Sequence, residues 1–241
     1  MNLAANVAVQ EATNILTNGR ALTCSENLDK LKIQFGAQDW IVDQLLHLYS
    51  DLIIEYGLLV GDFNRRGSTT TGALAIISWR TRNLLELHTW IHYCMKSEAL
   101  AKRFYHDKQR DILDWYHHVH ELVKFGGKTN PNLVGTYADT ISANRASLIK
   151  QGTDMGIKDL GKPYIRITDA ATQIGREKEF NLLNKFCSKF VHPTAFTIFS
   201  TISIESHEVI CPILFGTASA LFIEAFNMLD AAIQKKLTPS P

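Results

Sequence analysis

The residues best placed to do chemistry close the segment Phe180-Asn-Leu-Leu-Asn-Lys-Phe-Cys-Ser-Lys-Phe-Val-His192-Pro193-Thr194. Its apolar residues recur at helical spacing, and the pattern stops at a histidine that precedes a proline. Proline disfavours helical geometry at the residue before it, so His192 is expected at a helix C-terminus, where the negative end of the backbone dipole favours an imidazolium. A titratable ring held at a defined place is a candidate general acid or base. Asn181, Lys185 and Ser188 follow helical spacing back from His192, whereas Phe180, Leu183, Phe186, Cys187 and Phe190 fall on the opposite, core-directed side. The polar stripe therefore faces solvent, a cleft or a dimer groove.

A second polar set lies on Trp79-Arg-Thr-Arg-Asn-Leu-Leu-Glu86-Leu-His88-Thr-Trp-Ile-His92-Tyr93. At about 100° per residue Arg80 falls among Ile76, Ile77, Leu84, Leu87 and Ile91, inside the apolar face. An unpaired buried charge is very costly, so Arg80 requires a partner. Arg82 and Glu86 form an i,i+4 pair on roughly the opposite face. That pair is an ordinary helix salt bridge if exposed and a polar constellation within a bundle if buried.

Four further patterns are weaker. Asp43, His47, Asp51 and Glu55 recur every four residues, which makes either a metal-binding or polar-core stripe or the solvated face of an amphipathic helix. A di-iron bundle needs paired carboxylate-x-x-His motifs, and only Asp114-Trp-Tyr-His117 has that spacing. Asp114, His117, His118, His120 and Glu121 crowd one helix, whose ligands come from a single element, so no bound metal is expected there. His106-Asp107 is the dipeptide of HD-type phosphohydrolases, which need further His and Asp ligands from other helices, so the dipeptide alone is a weak match. Gly126-Gly-Lys-Thr129 resembles the end of a phosphate-binding loop, but Leu122 stands where that motif needs glycine, and the preceding residues read as helix rather than strand.

These residues must be positioned by helices, because helical periodicity dominates and alternating strands are missing. The pattern predicts helices over 3–17, 37–61, 69–96, 98–125, 132–151, 166–191 and 206–235, with Ser68 and Thr69 as caps for the third. Gly19, Gly67, Gly126-Gly127, Pro131, Gly152, Pro163 and Pro193 punctuate them. The expected fold class is an all-α multi-helix bundle. A chain of 241 residues without a marked composition shift is expected to be one domain, with 152–165 its longest loop and a disordered Thr-Pro-Ser-Pro tail.

Composition excludes some roles. A formal net charge of +1 supplies no overall basic field, so binding to nucleic acid needs a local patch. Cys24, Cys94, Cys187 and Cys211 are widely spaced, form no C-x-x-C pair and read as reduced packing residues. The first eleven residues lack a basic start and a long apolar core, so no signal peptide is expected. The apolar run 209–223, interrupted by Pro212 and Gly216 and flanked by Glu208 and Glu224, is expected to be a buried core helix rather than a membrane span. A cytoplasmic protein without cofactor or metal follows as the expectation.

The combination of Arg82 and Glu86 with Phe180, Phe186, Ser188, His192, Pro193 and Thr194 resembles an uncharacterised family of bacterial helical proteins with a domain of unknown function, over about 69–200. That family is similar in turn to HEPN helical bundles. Several of these are ribonucleases with an arginine four to six residues before a histidine at a dimer interface. The resemblance implies HEPN-like character, a homodimer, RNA as a partner and a ribonuclease-like stress or defence role. It implies a site of His192, Ser188, Lys185, Arg82 and Glu86. The chain departs from the motif, since lysines rather than an arginine precede His192. Metal-independent cleavage through the ribose 2′-hydroxyl would then use His192 as acid or base and Lys185 or Lys189 as the phosphate cation. Two other readings stand beside it: a non-enzymatic interaction module whose Arg/Glu/His set stabilises the bundle, and a metal-dependent phosphohydrolase using the histidine-rich helix.

Overall fold

The apolar stripes of the sequence are buried where helices meet. The computed structural model describes residues 3–36, 39–66, 72–127, 131–158, 160, 164–192 and 204–238. Among these residues there are nine helices and no strand: α1 (Leu3–Thr17), α2 (Arg20–Phe35), α3 (Trp40–Arg66), α4 (Ala73–Lys96), α5 (Glu98–Gly127), α6 (Pro131–Asp154), α7 (Ile167–Gln173), α8 (Glu177–Val191) and α9 (Ile204–Leu237). The architecture is the expected all-α bundle. The caps Ser68 and Thr69, the breakers Gly67 and Pro163, Lys128-Thr129, Pro193-Thr194 and Pro239 to Pro241 lie outside the described residues. The chain divides into two compact units, Met1–Glu98 with Ile167–Pro241, and Ala99–Arg166.

In the larger unit α9 packs on α1, α2, α3 and α4, and α4 packs on α3, α7 and α8 as well. Cys211, Leu214, Phe215, Ala218, Phe222, Ala225, Phe226, Leu229 and Ile233 are buried, the three- and four-residue spacing of one helix stripe. Burying each large side chain contributes about 1.5–3 kcal/mol, which orients α9 firmly. Tyr56 stacks on Phe222 at 4.1 Å and Phe63 on Phe215 at 4.2 Å. The Tyr56 hydroxyl shares a buried 2.9 Å hydrogen bond with Ser219. His207–Leu237 is long and apolar enough to cross a membrane, and half of its 18-residue apolar window is buried inside the protein.

Two elements differ from the periodic reading. Residues 20–35 form a helix that was not expected, although Cys24, Leu28 and Leu31, its buried face, have helical spacing. Gly19 at φ 82° separates it from α1. The predicted 166–191 helix is two helices, broken where Gly175 adopts φ 78°. There the Gly175 N–H donates to Thr172 O at 3.0 Å and the Arg176 N–H to Ala171 O at 2.9 Å. This 5→2 and 6→1 pair is a Schellman motif, which needs a left-handed residue that glycine supplies without strain.

The smaller unit holds α5, α6 and the segment after them. Asp107 is its fastener: Oδ2 accepts the Ile165 N–H at 2.9 Å, and Oδ1 accepts from Arg110. Arg110 also donates to Lys158 O at 3.4 Å. A Cβ on Gly152 would lie 2.5 Å from Leu160 Cδ2, so this glycine makes room for the returning segment.

Candidate functional site

α4 carries polar side chains toward two places, and the late histidine meets the first of them. Arg82 Nε donates to Glu86 Oε1 at 3.1 Å, the i,i+4 geometry expected from their spacing. Arg82 Nη1 lies 3.4 Å from Nε2 of His192, 110 residues later in the chain. A guanidinium only donates, so Nε2 accepts and Nδ1 carries the ring proton in this arrangement. His192 caps α8 with extended backbone (φ −102°, ψ 146°), as a residue before proline should, and its N–H reaches Ser188 O at 3.4 Å. The ring is exposed, and Arg82 and Glu86 are about two-thirds covered. The structure therefore brings Arg82, Glu86 and His192 together.

The other two members of the expected set stand differently. Ser188 is half-buried and its hydroxyl donates to Asn184 O at 2.7 Å, a bond within its own helix. Lys185 is exposed two turns before His192, about 10 Å away along the helix axis. The core side of α8 holds Phe180 and Cys187, with Leu183 packed beside Phe180. Phe186 departs from the expected pattern: it is exposed, with its ring edge-on to Phe190. Burial pushes the Cys187 thiol up to about 12 against the opposing pull of nearby Arg82, and all four cysteines are buried and free.

The acidic stripe of α3 splits into two kinds of residue. Asp43 and His47 form a 3.3 Å pair with the histidine largely in solvent, and Asp51 is exposed. Glu55 turns inward and, with Asp62, supplies the partner that Arg80 required. Arg80 Nη1 donates to Glu55 Oε1 at 3.0 Å and Nε to Asp62 Oδ2 at 3.0 Å, all three side chains being 11–14 % exposed. The guanidinium also lies 4.6 Å from the centroid of the Trp79 ring. On α5, His118 and Asp114 pair at 3.4 Å and Glu121 and Lys124 at 3.0 Å, all well exposed.

The second place reached by α4 was not grouped by sequence reasoning. His88 Nε2 and His92 Nε2 each lie 2.9 Å from one carboxylate oxygen of Glu224 on α9. Arg176, delivered by the Schellman turn between α7 and α8, donates to both oxygens of the same carboxylate, one of them at 3.1 Å. Burial raises the Glu224 carboxyl, but hydrogen bonds from His88 and Arg176 and their charge outweigh it and hold it at about 2. Burial lowers both imidazoles, against the pull of Glu224 upward. The available signal was the His88-x3-His92 spacing, which puts two imidazoles on one helix face. Glu224 and Arg176 carry no sequence mark that ties them to it.

No family model, curated protein or solved structure matches the chain. Chemistry alone therefore distinguishes the two clusters. The Arg82–His192 pair puts a cation and an imidazole nitrogen side by side on an exposed helix end, the combination that can bind a phosphate and move a proton beside it. The His88–His92–Glu224–Arg176 set is more enclosed, and its polar groups already satisfy one another.

Proposed function

We propose that this chain is an RNA-directed helical protein with a ribonuclease-like site at Arg82 and His192. The single observation that carries the reading is the 3.4 Å approach of the Arg82 guanidinium to His192 Nε2 at the exposed end of α8. The arginine missing from the positions just before His192 comes instead from a different helix, so the two groups that such chemistry needs are adjacent in space. In this reading Arg82 turns from Nε2 to the phosphate and stabilises the charge that builds there, the freed Nε2 of His192 takes the ribose 2′-hydroxyl proton, and the departing 5′-oxygen is protonated as the 2′,3′-cyclic phosphate forms. Glu86 holds the guanidinium through Nε, so its outer nitrogens, one of which meets His192 here, can turn to the phosphate. In this reading Lys185 is the cation for a neighbouring phosphate, while Ser188 supports the helix end through Asn184. A homodimer, a cytoplasmic location and HEPN-like character belong to the same proposal.

The test is cleavage of end-labelled single-stranded and structured RNAs by wild type, His192→Ala and Arg82→Ala, without divalent metal. His192 is an exposed helix-terminal residue, so its loss should leave the melting temperature nearly unchanged while cleavage falls by about a hundredfold or more. Cleavage products should carry 2′,3′-cyclic phosphate ends. Equal cleavage by wild type and His192→Ala would defeat the catalytic assignment. Absence of cleavage by the wild type across varied RNAs would leave the Arg82–Glu86–His192 set as a structural element of an interaction module.

A further inference from the structure

We infer that His88, His92 and Glu224 form a binding site for one divalent transition-metal ion, with Arg176 competing for the same carboxylate. The three residues offer one imidazole nitrogen each from α4 and a carboxylate from α9, and these ligand atoms all lie within 4.8 Å of one another. A tetrahedral ion with bonds near 2.1 Å holds neighbouring ligand atoms about 3.4 Å apart, so rotamer-scale adjustment suffices. Both Nε2–carboxylate separations are 2.9 Å, hydrogen-bond distances that an entering ion would widen by about half an ångström. The two rings lie 4.6 Å apart, centroid to centroid, on consecutive turns of one helix. His88 is almost fully buried and His92 mostly so, which limits the orientations that each ring can adopt.

The donor set selects the ion. Two imidazoles and a carboxylate suit zinc, cobalt(II), iron(II) or nickel, whereas magnesium and calcium prefer oxygen ligands. Binding requires each Nε2 to present its lone pair, so the ring proton moves to Nδ1. Three protein ligands leave a further coordination position for water.

Arg176 is the distinctive part of the site. Its guanidinium grips both Glu224 oxygens, yet about a third of the side chain is exposed, and Glu179 on the first turn of α8 lies 3.9 Å away as a second acceptor. An arriving cation exchanges places with the guanidinium at Glu224, and Arg176 turns toward Glu179 and solvent. Metal and arginine are thus antagonists at Glu224. On α4 the ligand pair sits about 120° around the helix from Arg82 and Glu86, so the two sites can be altered separately.

The experiment uses the full chain without a histidine tag, stripped with chelator and titrated with Co2+ while the visible d–d absorption is recorded, then with Zn2+ by calorimetry. One equivalent should bind. Glu224→Gln and His92→Gln should each weaken binding by at least about tenfold, while Arg176→Gln should tighten it by at least about tenfold because a charged competitor is gone. His118→Gln, on the exposed helix of the other unit, should change nothing. His92→Gln carries the ligand test because His88 is so deeply buried that its replacement risks the fold. Circular dichroism of each variant guards against misfolding. The inference is overturned if neither wild type nor Arg176→Gln binds cobalt at one equivalent. Affinity that follows His118→Gln rather than His92→Gln, or does not rise in Arg176→Gln, overturns it equally.

Discussion

Replacing Arg80 with methionine should be one of the most damaging single changes available in this protein. The side chain is 14 % exposed and is shared between Glu55 and Asp62, which are 14 % and 11 % exposed. Methionine fills a similar volume and removes the charge, so two carboxylates at the α3–α4 contact lose their compensating cation. Breaking a buried pair from one side typically costs about 3–5 kcal/mol. The lower part of that range applies here, because each acid keeps one other donor. Asn83 Nδ2 donates to Glu55 at 3.2 Å, and the exposed Arg65 reaches Asp62 at 3.3 Å. A loss of about 3 kcal/mol is therefore expected in urea denaturation with an unchanged slope, and the melting temperature should fall by roughly 6–12 °C for a chain of this size. The cause is the stranded negative charge rather than lost packing. Adding Glu55→Gln and Asp62→Asn to Arg80→Met should therefore recover at least half of the loss. A loss below about 1 kcal/mol for Arg80→Met, or a triple variant less stable than the single one, would refute the reasoning.

Two further perturbations follow from the Glu224 cluster and its turn. In metal-free protein, Glu224 titrates near 2 in the fold, against about 4.3 in an unfolded chain, and the imidazoles of His88 and His92 are lowered from 6.5. All three groups therefore bind fewer protons when folded than when unfolded. Stability should be fully present above about pH 6.5, decline as pH falls through the histidine range, and decline again between about 4.3 and 2, the sign required by linkage. Urea midpoints measured across that range, with Glu224→Gln losing the lower step, check this. Gly175→Ala should cost about 1 kcal/mol, since φ 78° is strained for alanine although no atom lies within 4 Å of its Cβ. Gly175→Asn should be milder, and equal stability of the alanine variant by thermal melting would contradict the Schellman assignment.

Local pattern was enough to reveal most of the helices, because apolar residues at three- and four-residue spacing have few other uses. It was enough for α1 and for the core stripe of α9, and it placed Arg80 inside an apolar face and His192 at a helix end before proline. α2 escaped because only Cys24, Leu28 and Leu31 carry its stripe amid charged and polar neighbours. The 166–191 region looked continuous because one glycine is often tolerated in a helix, and only the tertiary course of the chain required Gly175 to turn left-handed. The identity of partners was not legible. Arg80 needed a carboxylate, but Glu55 belonged to an i,i+4 stripe that looked solvated, and Asp62 carried no signal. His88 and His92 shared a face, yet Glu224 is more than 130 residues away and Arg176 arrives from a turn between two short helices. Arg82 met His192 by the same kind of coincidence across 110 residues. Periodicity records which side of a helix avoids water, and it is a property of neighbouring residues. Pairing across a bundle depends on how the helices cross, and so on the summed packing of faces far apart in the chain. The sequence by itself therefore determined most of the helices and the burial of Arg80, and the tertiary structure decided where the late helix breaks and which charges meet.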